Sequence, residues 1–189
     1  MISFILPTTG RASLQRTLDS IDGRPGDEIL VVGDPRRITI TRYACRVQLL
    51  PCPLGHDWGN TERNYAMAVA SNPYLAFIDD DDWYAPGARA LMADAIARSP
   101  GRLVIFSMEY PNGTILWQEP VLRCANVGTP MLLVPNDPTR LGRWPQGVYE
   151  GDWGFLSQCR FPPDQIVWRQ EVIAQIGRNA GQVLSAPDP

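Results

Sequence analysis

Short unbroken apolar runs alternate with segments whose apolar residues recur every three or four positions. Ile2 to Leu6 is such a run, of the kind buried strands show, and PTTG ends it with turn chemistry. Leu14, Leu18 and Ile21 then recur at helical spacing, with Ser13 as the cap, so 12–21 reads as a helix. EILVV (28–32), stopped by Gly33 and Asp34, reads as a second buried strand, and RVQLL (46–50) as a third. NTERNYAMAVA (60–70) reads as a helix capped at Asn60 or Thr61, with Tyr65, Ala68 and Val69 along one face. Tyr74 to Ile78 is again strand-like, and Pro86 suits the first turn of a helix through GARALMADAIARS. LVIFSMEY and TILWQEP, joined by PNG, read as an antiparallel pair.

Alternation of strand and helix to about residue 107 predicts an α/β fold with a doubly wound, mainly parallel sheet and a small antiparallel extension. The second half is richer in Pro and Gly, with a helix expected near Asp152 and a late strand at IVW (166–168). With no repeat and no linker, one domain is expected over 1–176, divided near 107, followed by a loosely ordered tail at 177–189.

Composition removes several chemistries. All 17 basic residues are Arg, so Schiff-base catalysis and a lysine-bearing phosphate loop have no amine to use. His56 is the single histidine, which leaves Ser-His-Asp chemistry and multi-histidine zinc sites without support; it reads as a loop hydrogen-bonder. Cys45, Cys52, Cys124 and Cys159 form no metal-ligand spacing and read as reduced thiols of a cytoplasmic protein. The amino terminus reads as neither a signal peptide nor a membrane span. A net charge of -3 argues against a dedicated nucleic-acid binder. Arg36, Arg37, Arg42 and Arg46 form a local basic cluster that is either a solvated edge or a surface for an anion or partner.

Carboxylates remain as the acid-base resource, and FIDDDDWY (77–84) concentrates four of them behind a strand. Neighbouring charges of one sign are costly to ionise together, so a positive partner is called for. In an extended segment Asp79 and Asp81 project to one side, and Asp80 and Asp82 to the other. One side can then face Mg²⁺ or Mn²⁺ and ligand, while the other caps a helix or ties down a loop. PTTGR (7–11), Gly33 with Asp34, and the Asp row all fall at strand ends, where open parallel sheets bind ligands. With Arg63 and Asn64 they describe a crevice for a nucleoside diphosphate and a metal.

ISFILPTTGR, ILVVGD, GNTERNYAMAVASNPYLAFIDDDDWYAPGA and YEGDWGFL, in that order, resemble the nucleotide-sugar glycosyltransferases of the GT-A fold, particularly inverting family 2. The resemblance implies a Rossmann-like domain whose first half, 1–107, binds the nucleotide sugar and whose second half, 108–176, faces the acceptor. It places Pro7, Thr8, Thr9 and Arg11 at the nucleotide and Asp34 near the base. Arg63, Asn64, Asp79 and Asp80 would hold the nucleotide sugar. Asp81, with Asp79, would hold Mn²⁺ or Mg²⁺, with Asp82 behind them. Asp152 would be the general base, with Glu150 as the alternative, and Trp83 and Trp153 would meet the acceptor. Arg169, in IVWRQEV, stands where family members carry a basic or histidine-bearing segment that touches the diphosphate.

The expected reaction is metal-dependent, inverting transfer from a nucleoside-diphosphate sugar, UDP-sugars first, to a hydroxyl acceptor. That acceptor could be a glycan, a lipid-linked sugar or another large molecule, and a homodimer could complete its cleft. The competing readings are a nucleotidyltransferase on the same kind of sheet and a non-catalytic module binding sugar nucleotide and metal.

Overall fold

The computed structural model describes residues 1–41, 43–52 and 55–177. Within it the elements run β1 (Ser3–Pro7), α1 (Leu14–Ser20), β2 (Glu28–Gly33), β3 (Arg46–Pro51), α2 (Asn60–Val69), β4 (Tyr74–Phe77), β5 (Trp83–Tyr84), α3 (Ala88–Arg98), β6 (Leu103–Glu109), β7 (Ile115–Leu116), β8 (Leu132–Pro135), α4 (Gly151–Leu156) and β9 (Ile166–Gln175). All nine strands join one sheet in the order β3-β2-β1-β4-β8-β6-β9-β5, with β7 paired on β6. The β3-β2-β1-β4 half is parallel throughout. β8 runs antiparallel between β4 and β6, and β9 lies parallel to β6. This is the expected mainly parallel α/β sheet, with β5 and β7 as its antiparallel additions.

Burial explains why the strands read so plainly. Every residue of β1, β2 and β4 is buried, so these strands carry continuous apolar runs in place of alternation. β8 is buried at all four positions too, in the run MLLVP, a strand beyond those the apolar pattern predicts. A four-residue run between proline-bounded loops carries no period by which to recognise it. Once paired, it closes the gap between β4 and β6 and welds the two halves of the sheet together.

Local expectations were corrected in four places. Ser13 stands at the N-cap of α1 but makes no capping bond, because its own backbone is already helical. Pro86 precedes α3 and lies outside its first turn; Gly87, with φ +84°, turns the chain into the helix. α2 is capped by the Asp57 carboxylate, which accepts from the Thr61 amide at 3.2 Å and its hydroxyl at 2.8 Å. The face expected to be apolar, Tyr65, Ala68 and Val69, is exposed, while Glu62, Arg63 and Ala66 turn inward. That inversion places a guanidinium where a core residue would stand, a local conflict of the kind functional sites carry. Arg42 and residues 178–189, most of the expected tail, lie outside the described residues.

The end of β2 sits tightly against the loop after β1. A Cβ on Gly33 would overlap the Thr8 carbonyl oxygen and crowd the Thr8 methyl at 3.3 Å. Gly33→Ala is therefore expected to displace the PTTG loop and lower unfolding stability by about 1–3 kcal/mol. Denaturant midpoints of the two proteins measure this, and equal midpoints would show that the contact yields freely.

Candidate active site

The four aspartates do not form an extended segment, as the alternation argument assumed. The Asp82 amide donates to the Asp79 carbonyl at 3.1 Å, which folds residues 79–82 into a tight turn. Their duties nonetheless divide by position. Asp80 is buried and accepts from the Thr8 hydroxyl at 2.7 Å and the Thr9 amide at 3.2 Å, with Arg11 at 3.3 Å. Burial pushes the Asp80 carboxyl above its ordinary value, against the pull of Thr8 and Arg11. Asp82 is also buried; its carboxylate accepts from the Gly177 amide at 2.9 Å and its carbonyl from the Thr17 hydroxyl at 2.6 Å. These two residues tie the turn to β1, α1 and the end of β9.

Asp79 and Asp81 keep about a quarter of their side-chain surface open, at 26% and 25%. Arg63 pairs with Asp79, and Arg11 pairs with Asp81 at 2.6 Å. Positive charge does meet the row, and in this structure two guanidinium groups supply it. Asp79 and Asp81 are hard oxygen donors that suit Mg²⁺ or Mn²⁺. No cluster of three or more His, Cys, Asp or Glu arranged for a metal exists among the described residues. An ion at this turn would be held by these one or two carboxylates and completed by phosphate and water.

Arg63 is held from several directions. Its Nη1 donates to the Trp58 carbonyl at 2.8 Å and to Asn60 at 3.3 Å, and its guanidinium lies 4.6 Å from the centroid of the Trp144 ring. Trp144 is core, stacked on Phe155 at 4.7 Å and 5°, and it supports the cation from below. Arg63 Nε and Trp144 Nε1 are both enclosed without an acceptor among the described residues.

α2 also places the other wall. Asn64 exchanges two hydrogen bonds with the Trp144 backbone, at 2.8 and 3.0 Å. The Asn60 amide donates to the Pro145 and Val148 carbonyls at 2.9 and 2.8 Å. These bonds fix the loop that leads into α4, and Gly151 presses so closely on the Asn60 amide that no Cβ would fit. Asp152 follows in the first turn of α4. Crowding by protein on most sides pushes its carboxyl up to about 6, although the Trp153 amide at 2.7 Å and the Arg63 charge pull it down. The Asp79 charge adds to the rise.

Asp79, Arg63, Glu150 and Asp152 line a single cavity of about 420 Å³, whose far wall comes from Met108, Tyr110, Leu116 and Val127. Asp82 reaches it as well. Pro7, Thr8, Thr9, Arg11, Asp34 and Asp80 are not among its lining residues. Thr8, Thr9 and Arg11 gather on the acidic turn, whereas Asp34 is clasped by Arg36 at 2.8 Å, which holds its carboxyl down at about 2. Asn64 faces the Trp144 backbone. Trp83 and Trp153 do not line the cavity, and Trp83 lies under the Arg16 guanidinium at 3.2 Å. Arg169 is paired with Glu171 and with Asp94 at 3.0 Å. The aromatics that do line the cavity are Trp144, Tyr110, Trp58 and Tyr149, and nothing in the spacing of the sequence distinguishes Trp58.

A parallel half-sheet with an acidic turn beyond β4, continued by a mixed half, is the GT-A type of fold. The family model described as Glycosyl transferase family 2 matches residues 3–149, and the chain belongs to that family. The match ends just before α4, so Asp152 lies beyond it. No curated protein matches the chain by sequence. Among solved structures, residues 1–349 of S. aureus TarS superimpose with a TM-score of 0.68 at 16% identity, covering 93% of this chain and 60% of that one. The same TarS segment in complex with UDP gives 0.66 at 16% identity, covering 92% and 59%. Its complex with UDP-GlcNAc gives 0.64 at 16% identity, covering 96% and 59%. At such identity the likeness is one of fold, and the chain spans about three-fifths of those TarS structures. No described helix is long and apolar enough to cross a membrane.

Proposed function

We propose that this chain transfers a sugar from a nucleoside-diphosphate sugar to a hydroxyl acceptor, with inversion at the anomeric carbon. The observation that carries the reading is the convergence of Asp79, Arg63 and Asp152 on one cavity. Asp152 takes the proton of the acceptor hydroxyl as its oxygen bonds to the anomeric carbon. The bond to the diphosphate breaks on the opposite face, and the diphosphate leaves with the electron pair. A carboxyl held near 6 is ionised at neutral pH yet basic enough to accept that proton. Arg63 and Arg11 stand on the acidic turn, where they can meet phosphate oxygens once a donor competes for them. Asp81 with Asp79 would hold Mn²⁺ or Mg²⁺, which supplies charge neutralisation for the departing diphosphate.

The UDP and UDP-GlcNAc complexes of TarS make uridine donors the first to test. Release of UDP from a panel of UDP-sugars is expected to require Mn²⁺ or Mg²⁺ and to stop on chelation. Asp81→Ala is expected to reduce turnover about 10²-fold or more, in the range for loss of a charge-stabilising group. Turnover that is equal with and without chelator would exclude the metal role, and release of pyrophosphate from a nucleoside triphosphate would favour a nucleotidyltransferase.

A further inference from the structure

Two aromatic side chains stand at the cavity with much of their surface open. Trp58 is 37% exposed and Tyr149 41%, and their rings meet edge to face at 5.6 Å and 79°. Both line the cavity together with Glu150 and Asp152. A core role does not account for rings this exposed.

The backbone of Trp58 adds a separate observation. Its φ is +57°, a left-handed conformation that a bulky residue adopts only under constraint. The constraint is visible: the Trp58 carbonyl accepts from Arg63 at 2.8 Å, and Gly59 turns the chain into α2 immediately afterwards. Ala125, in the cavity lining, is also left-handed, at φ +62°. Strained residues of this kind collect where a ligand is gripped. Glycine would relieve the strain at position 58, yet the chain keeps its largest side chain there.

The chemistry of the wall selects the class of ligand. An open indole face attracts a flat apolar surface, and the neighbouring carboxylates of Glu150 and Asp152 accept hydrogen bonds and repel anions. A neutral sugar ring has both features, C–H groups on one face and hydroxyls around its rim. A phosphate has neither, and the charge of a nucleic-acid backbone is repelled by these carboxylates.

We propose that Trp58 and Tyr149 form the acceptor platform of this enzyme, and that the acceptor is a carbohydrate whose terminal neutral sugar stacks there with a hydroxyl turned toward Asp152. The proposal rests on the transferase reading for the direction of that hydroxyl, but its binding half stands apart from turnover.

The test is titration of the full chain, without donor, with maltose, cellobiose, lactose and chitobiose, followed by NMR, with sorbitol as an open-chain control. At least one disaccharide is expected to bind, and sorbitol at least tenfold more weakly. Trp58→Ala and Tyr149→Ala are expected to weaken that binding at least tenfold, and Trp58→Phe to recover most of it. Trp58→Gly should lose the sugar while raising Tm, because it removes the ring and the strain together. In turnover, Trp58→Ala should raise the acceptor KM at least tenfold and by more than it lowers kcat. No disaccharide binding, equal binding of sorbitol, or affinity unchanged in Trp58→Ala would each overturn the platform. A fall in Tm in every Trp58 variant would assign the residue to the fold and overturn it as well. If wild type releases nucleoside diphosphate from no sugar nucleotide, the transferase reading fails, and the titration still decides the platform.

Discussion

Asp152→Asn is expected to abolish transfer and, above neutral pH, to make the protein harder to unfold. The first effect follows from removing the base proposed above, for which general base catalysis supports a loss of about 10²–10⁴-fold in kcat. In wild type, kcat should rise with pH through about 6, where the Asp152 carboxyl ionises. The second effect follows from the direction of the shift. A carboxyl raised from 3.8 to about 6 on folding contributes stability that is fully present below 3.8 and lost as pH rises through 6. At higher pH the folded chain must hold a crowded carboxylate that the unfolded chain would hydrate freely. Two pH units correspond to about 3 kcal/mol, and water in the cavity reduces this to about 1–2 kcal/mol. Tm of the two proteins compared at about pH 8 and about pH 4 measures it: a gain for the variant at the higher pH and little difference at the lower. A variant that is less stable at pH 8, or that keeps its turnover, would remove Asp152 from the role.

The largest stability effect is expected at Asp27, away from the cavity lining. Its carboxylate, 1% exposed, accepts from the Arg89 Nε at 2.7 Å and Nη2 at 2.9 Å, from the Ile2 amide at 2.8 Å and from the Arg24 amide at 3.0 Å. One residue thereby joins α3 to the start of β1 and the turn before β2. Asp27→Ala leaves a buried guanidinium without its counter-ion, with Arg89 Nη1 already lacking an acceptor among the described residues. The expected cost is about 3–5 kcal/mol, a large part of the stability of an ordinary domain. Burial alone would raise the Asp27 carboxyl, but its donors outweigh burial and hold it below 3.8. Its stabilisation is therefore present above 3.8 and lost as pH falls through the lower folded value, so wild type and variant should converge in acid. Urea unfolding across pH reads both effects. Asp27→Leu combined with Arg89→Met should recover much of the loss, since an apolar pair needs no counter-ion. A cost below about 1 kcal/mol for Asp27→Ala would show that the ion pair contributes little.

Much of this was legible in the chain. The buried parallel strands announce themselves because both faces are covered and the apolar runs are unbroken, and the acidic row behind β4 stands out by charge alone. β8 was illegible because four apolar residues without a period do not say which neighbours they will pair with. The inward face of α2 was misread because periodicity assigns apolar residues to the inside, whereas here Arg63 and Glu62 take that side and Tyr65 and Val69 are left in water.

The sequence by itself determined the class of sheet, where its first strands lie along the chain, the absence of lysine chemistry and the carboxylates available for a site. Local pattern suffices for these, since each depends on which residues are apolar or charged and how they are spaced. Only the tertiary structure decided which carboxylate meets which cation, that Asp152 faces Asp79 and Arg63, and that Trp58 and Tyr149 stand at the cavity in place of Trp83 and Trp153. Arg63 joins residues 58 and 79, and the hydrogen bonds of Asn60 and Asn64 fix the loop that leads to Asp152. Such bonds exist only when α2, the 144–149 loop and the end of β4 have been packed together.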